Sequence, residues 1–173
     1  MAQSNDSLWG GRFESGPSHA LAALSKSTHF DWRLASYDLA GTHAHIKALA
    51  AAGFLSHDEV SKLQAAILEL DDKIKAGEFA PTFEEEDVHA ALERGLIEIA
   101  GAETAGKVRA GRSRNDQIAT LIRSFLLDAS DVIETELVSY IEVLMERARE
   151  HGDAVMPGRT HFQHAQPVLL SHH

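Results

Sequence analysis

Cysteine is missing from the 173 residues, so neither a disulfide framework nor a thiolate metal site can form, and the chain suits a reducing compartment. Basic residues are in deficit: 16 Lys and Arg stand against 26 Asp and Glu, a net charge of −10 with His neutral. A nucleic-acid binder would show a basic face instead; a local basic pocket for a small anion stays open. Long hydrophobic runs are missing too. None approaches the ~20 residues that span a bilayer. Residues 1–14 lack the apolar core of a signal peptide, so a soluble, cytoplasmic protein is expected. There is no Gly-x-Gly-x-x-Gly or Walker loop for a nucleotide, no Gly-x-Ser-x-Gly elbow for a nucleophile and no His-Glu-x-x-His for zinc. His43 and His45 are not four apart on a helix face, and beside them only the His172-His173 pair suggests a metal; none is expected.

What is present is an ordinary globular composition, 44% hydrophobic and 24% charged, long enough for one domain or one and a half. The most distinctive stretch is Gly111-Arg112-Ser113-Arg114-Asn115-Asp116-Gln117. It follows the glycine-punctuated loop 101–107 and precedes a long apolar-periodic run over 118–148. A loop entering the first turn of a helix leaves backbone N–H groups unpaired at the positive end of the helix dipole. With Arg112 and Arg114 added, the place suits a carboxylate or phosphate. The alternative is a polar helix cap with solvated arginines.

Along the chain, residues 1–7 are polar, and Leu8-Trp9-Gly10-Gly11-Arg12-Phe13 reads as an arm packing Trp9 and Phe13 on the body of the protein. Ser25-Lys26-Ser27-Thr28 either caps a helix or presents hydroxyls to a ligand. A helix is predicted over 31–52, with Leu34, Tyr37, His45, Ala48, Leu49 and Ala52 on one face and Gly53 as its stop. Ser56-His57-Asp58-Glu59 reads as a capping box, with Leu55 and Val60 as its hydrophobic staple. It opens a helix whose Val60, Leu63, Ile67, Leu70 and Ile74 make a core stripe and which Gly77 ends. The two helices form an αα-hairpin. The acidic run 84–87 opens another helix, with Val88, Ala91, Leu92, Gly95 and Ile99 inside. His89 lies in its first turn beside Asp87, whose carboxylate favours a charged imidazole; a functional His89 and a merely buried one both remain open.

The run over 115–151 keeps helical spacing through Ile118, Ile122, Phe125, Val132, Leu137 and Leu144. About 36 residues at ~1.5 Å each make roughly 55 Å, against roughly 40 Å for a compact chain of this length. Such a helix needs partners, from further chain or from other subunits, in a shared bundle. After Gly152, Pro157-Gly158 is a turn signal, and Pro167 is placed to start a new helix at Val168-Leu169-Leu170. Between them Thr160, His161, Gln163, His164 and Gln166 form a dense polar run of the kind that binds ligands when a scaffold holds it. Because the chain stops at His173 within that apolar segment, a fragment of a longer protein is expected. These groups suit acid–base work on an anion, with arginines and helix-start amides holding carboxylates and His161 moving a proton near neutral pH.

Four phrases occur in one order: Leu8-Trp9-Gly10-Gly11-Arg12-Phe13, Glu86-Asp87-Val88-His89, Ala110 to Gln117, and Pro157-Gly158-Arg159-Thr160-His161-Phe162-Gln163-His164-Ala165-Gln166-Pro167. Together they resemble the fumarase/aspartase superfamily and, within it, the argininosuccinate lyases, whose vertebrate relatives include the delta-crystallins. The resemblance runs from Leu8 to the last residue. It implies an all-α fold, with an arm and small helical domain over 1–112 leading into the first long helix of a central bundle, incomplete, over 113–173. It implies β-elimination of argininosuccinate to arginine and fumarate without metal or organic cofactor, in a cytoplasmic homotetramer with no nucleic-acid or membrane partner. Carried over by position, His161 resembles a proton-transfer group. Ser27, Arg112, Ser113, Arg114, Asn115 and Thr160 resemble substrate-binding residues, and Asp87, His89 and Gln163 are further pocket candidates. Two departures stand out. Arg159 replaces an aromatic common before Thr-His, and the serine-bearing glycine-rich loop that supplies the second proton-transfer group is absent from these residues, so they are expected to turn over little or nothing alone. Another fumarate-releasing lyase and a non-catalytic, crystallin-like helical module are the alternatives.

Overall fold

The computed structural model describes residues 18–173; the Leu8 to Phe13 phrase lies outside the described residues. In chain order come α1 (His19–Ser25), α2 (Thr28–Asp31), a 3-10 turn (Trp32–Leu34), α3 (Ala35–Ala51), α4 (His57–Lys75), α5 (Val88–Ala100) and α6 (Ala102–Gly106). A second 3-10 turn (Lys107–Arg109), the long α7 (Arg114–Glu150) and a hairpin of β1 (Val155–Thr160) and β2 (Gln163–Leu169) follow. The fold is all-α apart from that hairpin. The chain forms two compact units, one ending at Phe125 and the other spanning Leu126–His173.

In the first unit the local signals act as their chemistry dictates. The Ser56 hydroxyl accepts from the Glu59 amide at 3.3 Å while the Glu59 carboxylate accepts from the Ser56 amide at 2.9 Å, the reciprocal capping box. Gly53 (φ 77°) and Gly77 (φ 74°) close α3 and α4 in the left-handed region. Leu63, Ala66, Ile67 and Leu70 of α4 are buried against Leu39, Ile46 and Leu49 of α3 and Val88, Leu92 and Leu96 of α5 in one core.

Helix α3 departs from the expected face. Its buried residues are Ala35, Asp38, Leu39, Thr42, Ile46 and Leu49; Ala48 and Ala52 are exposed, and Tyr37 and His45 are half-buried. Two polar side chains occupy the inner stripe because their partners arrive from α5 and from the turn before α7, which apolar periodicity does not register. Helix α5 begins one residue after the acidic run: the Asp87 carboxylate caps it by accepting from the Ala90 amide at 2.9 Å.

Gly95 in α5 has no room for a side chain. A Cβ there would lie 2.7 and 2.9 Å from the methyls of Leu70, itself fully buried, and 2.9 Å from the Phe79 ring. Gly95→Ala is therefore expected to destabilise the chain. The overpacking penalty of about 1–3 kcal/mol exceeds the ~1 kcal/mol that alanine gains in helix propensity. Urea denaturation followed by circular dichroism measures the sign.

Helix α7 has 37 residues, and Leu121 alone among them is buried. Ile122, Val132, Ile133, Leu137, Tyr140 and Leu144 are all exposed, so the apolar rows that predict a bundle are present and uncovered. In the second unit the expected helix start at Pro167 is not formed: Pro167 sits in β2, paired with Pro157 of β1. Two residues without an N–H can face each other in a two-stranded sheet, where no third strand asks for donors. The Pro157-Gly158 signal is likewise an irregularity within β1, between Pro157 and Arg159. Gly158 is required there, because a Cβ would meet the Gln166 carbonyl oxygen at 2.6 Å. The turn itself is His161-Phe162, both left-handed at φ 48° and 60°, the conformation a two-residue hairpin demands.

Candidate functional site

The turn before α7 is sewn to the helices behind it. His45 of α3 donates from Nε2 to the Ala110 carbonyl at 3.0 Å. Arg112, with only 16% of its side chain exposed, donates from Nη1 to the Thr42 hydroxyl at 2.8 Å and from Nη2 to Asp38 Oδ1 at 3.1 Å. Asp38 is 2% exposed. It also accepts from the Gln117 amide at 2.5 Å and faces His89 Nδ1 at 2.8 Å. Burial works against its ionisation, but the hydrogen bonds from His89 and Gln117 and the charge of Arg112 prevail and hold its carboxyl below the usual range. Burial also pulls the Arg112 guanidinium below its ordinary value, against the attraction of Asp38 and with repulsion from Arg114 added.

A second carboxylate line runs alongside. Arg114 donates to Asp87 Oδ2, whose other oxygen caps α5. The Ser27 hydroxyl donates to Asp31 Oδ2 at 2.5 Å, and the Ser27 amide to the Glu86 carbonyl at 2.8 Å. Asp31 Oδ2 accepts in turn from the Val88 amide at 3.2 Å. Thus Ser27, Asp87, His89, Arg112 and Arg114 are brought together in the first unit, and both arginines are matched by acids of the chain itself. Ser113 and Asn115 stay exposed at the start of α7. Beside them is a cleft of about 210 Å³ lined by Tyr37, Asp38, His45, Arg112, Ser113 and Gln117 among others. Ser113 and Asn115 therefore bring exposed neutral donors beside two arginines that are already paired with acids of the chain. Among the described residues no group of three or more His, Asp or Glu is arranged to hold a metal ion.

Thr160, His161 and Gln163 belong to the second unit. Thr160 and Gln163 are the last rung of the hairpin, and His161 is exposed in its turn. Sequence reasoning missed Asp38, Thr42 and Asp31, and it placed Gln117 in the distinctive stretch without giving it a partner. For Asp38 a signal existed, an aspartate in the series 35, 38, 39, 42, 46, 49, where every other member but Thr42 is apolar.

Acid should loosen this construction. Glu59, hydrogen-bonded by Lys107 and then by Ser56, is lowered from 4.5 to about 2. Asp38 and Glu85 are also lowered, Glu85 through Thr82 and Arg94 against its own burial. A carboxylate depressed in the folded state adds stability above its unfolded pKa and loses it as pH falls through the folded value. Thermal stability is expected to fall between about pH 4.5 and about 2. A midpoint unchanged across that window would contradict the ion pairs described.

A family model described as lyase matches residues 11–173. The argininosuccinate lyase of Leifsonia xyli subsp. xyli is 58% identical over 166 residues, covering 96% of this chain and 35% of that protein. That of Kineococcus radiotolerans is 55% identical over 178 residues, covering 100% of this chain and 37% of that protein. The chain thus spans about a third of the length of the curated relatives it matches. Among solved structures, an EDDS lyase variant with bound fumarate aligns with a TM-score of 0.67 at 26% identity, over 87% of this chain and 29% of that one. The 3-carboxy-cis,cis-muconate lactonizing enzyme of Pseudomonas putida shares the fold, with a TM-score of 0.59 at 24% identity over 89% of this chain and 37% of that one.

Proposed function

Because the chain belongs to the lyase family, we propose that the whole protein cleaves argininosuccinate into arginine and fumarate by β-elimination. The observation that carries this reading is the identity above one half to argininosuccinate lyases across the segment holding both the arginine turn and the hairpin. Fumarate, the molecule bound to the EDDS lyase of similar fold, is the product expected here.

The reaction removes a proton from the carbon beside one succinyl carboxylate, breaks the bond between the neighbouring carbon and the guanidino nitrogen, and sends that electron pair to nitrogen. In the intermediate the carboxylate gains a second negative charge, which preorganised donors must meet. Ser113, Asn115 and Thr160 are neutral donors suited to that task, and Ser27 lies beside the same turn. His161 transfers a proton, Gln163 supports the hairpin beside it, and a general acid protonates the departing nitrogen. Arg112, Arg114, Asp87 and His89 shape the pocket. The chemistry draws on no metal or organic cofactor. The uncovered rows of α7 support self-association into a homotetramer in which the turn of one subunit meets the hairpin of another. A cytoplasmic location is part of the same family reading; among the described residues no helix is long and apolar enough to cross a membrane.

The test is a hybrid in which this chain replaces the matching segment of the Leifsonia xyli enzyme. The hybrid is expected to release fumarate from argininosuccinate and, in reverse, to consume fumarate with arginine but not with ammonia. Consumption with ammonia alone would assign a different lyase, and an assembled hybrid inert toward every substrate would count against the reading. The 173 residues by themselves are expected to release no measurable fumarate.

A further inference from the structure

We infer that Asp38 is a positioning residue of the candidate site: it fixes His89 in the form that carries a proton on Nδ1, and it holds Arg112 as a strut of the turn rather than as an anion-binding group. The first part follows from hydrogen-bond inventory. An ionised carboxylate only accepts, and Asp38 Oδ2 lies 2.8 Å from His89 Nδ1, so Nδ1 must donate. The Gln117 amide nitrogen also approaches Nδ1, at 3.0 Å. An amide nitrogen only donates, so the two contacts to Nδ1 cannot both be hydrogen bonds. Gln117 has a better outlet in Asp38 Oδ1, 2.5 Å away. The carboxylate thus settles the competition, leaving the imidazole its Nε2 side to present elsewhere. An aspartate that orients a histidine through Nδ1 is a recurrent device for setting a tautomer.

The second part follows from the guanidinium. Its Nη1 and Nη2 are committed to Thr42 and Asp38, one helical turn apart on α3. The backbone of the same turn is held by His45 donating to Ala110. These three α3 residues set where Ser113 and Asn115 stand at the start of α7. The importance of this arrangement for catalysis rests on the lyase reading; the arrangement itself does not.

Nitrogen-15 NMR of the imidazole rings in the 173-residue chain tests it without substrate. His89 is expected to show a protonated, slowly exchanging Nδ1 wherever the chain is folded. Asp38→Asn is expected to redistribute that proton between the two ring nitrogens and leave the His45 pattern unchanged. Gln117→Ala, which removes the competing contact, is expected to keep the Nδ1 proton, and it decides the matter should Asp38→Asn fail to fold. A bare Nδ1 in the parent chain, a folded Asp38→Asn with an unchanged His89 pattern, or loss of the Nδ1 proton in Gln117→Ala would each overturn the inference. A negative fumarate assay would leave these spectra as they are, so failure of the lyase reading is seen separately.

Discussion

Asp38→Ala is expected to lower the stability of the chain by about 3–5 kcal/mol, the range for stranding one partner of a buried ion pair. The Arg112 side chain, 16% exposed, would lose the carboxylate it pairs with, and His89 and Gln117 would lose the acceptor they converge on. Both charges are taken out of water, so solvent screening discounts little of this. A domain holds only about 5–15 kcal/mol in total, so the variant should melt well below the parent and at much lower urea. Asp116→Ala is the control: Asp116 is exposed in the first turn of α7, and its removal should change stability by no more than about 1 kcal/mol. The surface pair of Lys73 and Glu69, with side chains 41% and 52% exposed, should matter as little. A loss below about 1 kcal/mol for Asp38→Ala would mean that Asp38 is not the anchor of the turn.

His161→Asn in the hybrid enzyme is expected to reduce kcat by about 10²–10⁴-fold, the usual contribution of a proton-transfer group. Asparagine is chosen because position 161 has φ 48°, and asparagine tolerates the left-handed region better than most residues. The hairpin should therefore survive, and any loss can be assigned to the ring rather than to the backbone. The control is Phe162→Gly, which relieves the same strain at φ 60° and should leave the melting temperature no lower than the parent's. A His161→Asn enzyme within a few-fold of the parent in kcat, at saturating argininosuccinate, would remove His161 from the chemistry.

The parts of this molecule legible in the sequence are those whose causes are local. The capping box at Ser56, the stop at Gly53 and the stripe through Leu63 and Leu70 each depend on neighbours within a few residues, and each is formed. The length of α7 was legible for the same reason, as was its lack of cover, since its apolar rows exceed what 173 residues can bury. Pro167 misled because a strand pairing with residues about ten positions earlier overrode a first-turn helix signal. The inner face of α3 misled because Asp38 and Thr42 become core residues through partners far along the chain, Arg112 at 74 and 70 positions away and, for Asp38, His89 and Gln117 as well. The arginines illustrate the same limit. Their types and spacing suggested a ligand for each, whereas Asp38 and Asp87 take up both within the fold. Motif resemblance singled out the arginine stretch and the threonine–histidine stretch as candidates without giving the geometry of either, because it carries long-range information that periodicity lacks.

Determining the hybrid's crystal structure with fumarate bound would test most directly where the substrate is held. One fumarate carboxylate is expected within hydrogen-bond reach of Ser113 or Asn115 at the start of α7, with Thr160 and His161 of another subunit on the opposite side and Arg112 still turned back onto Asp38. Fumarate gripped by a freed Arg112 guanidinium, or bound away from both the turn and the hairpin, would contradict this placement.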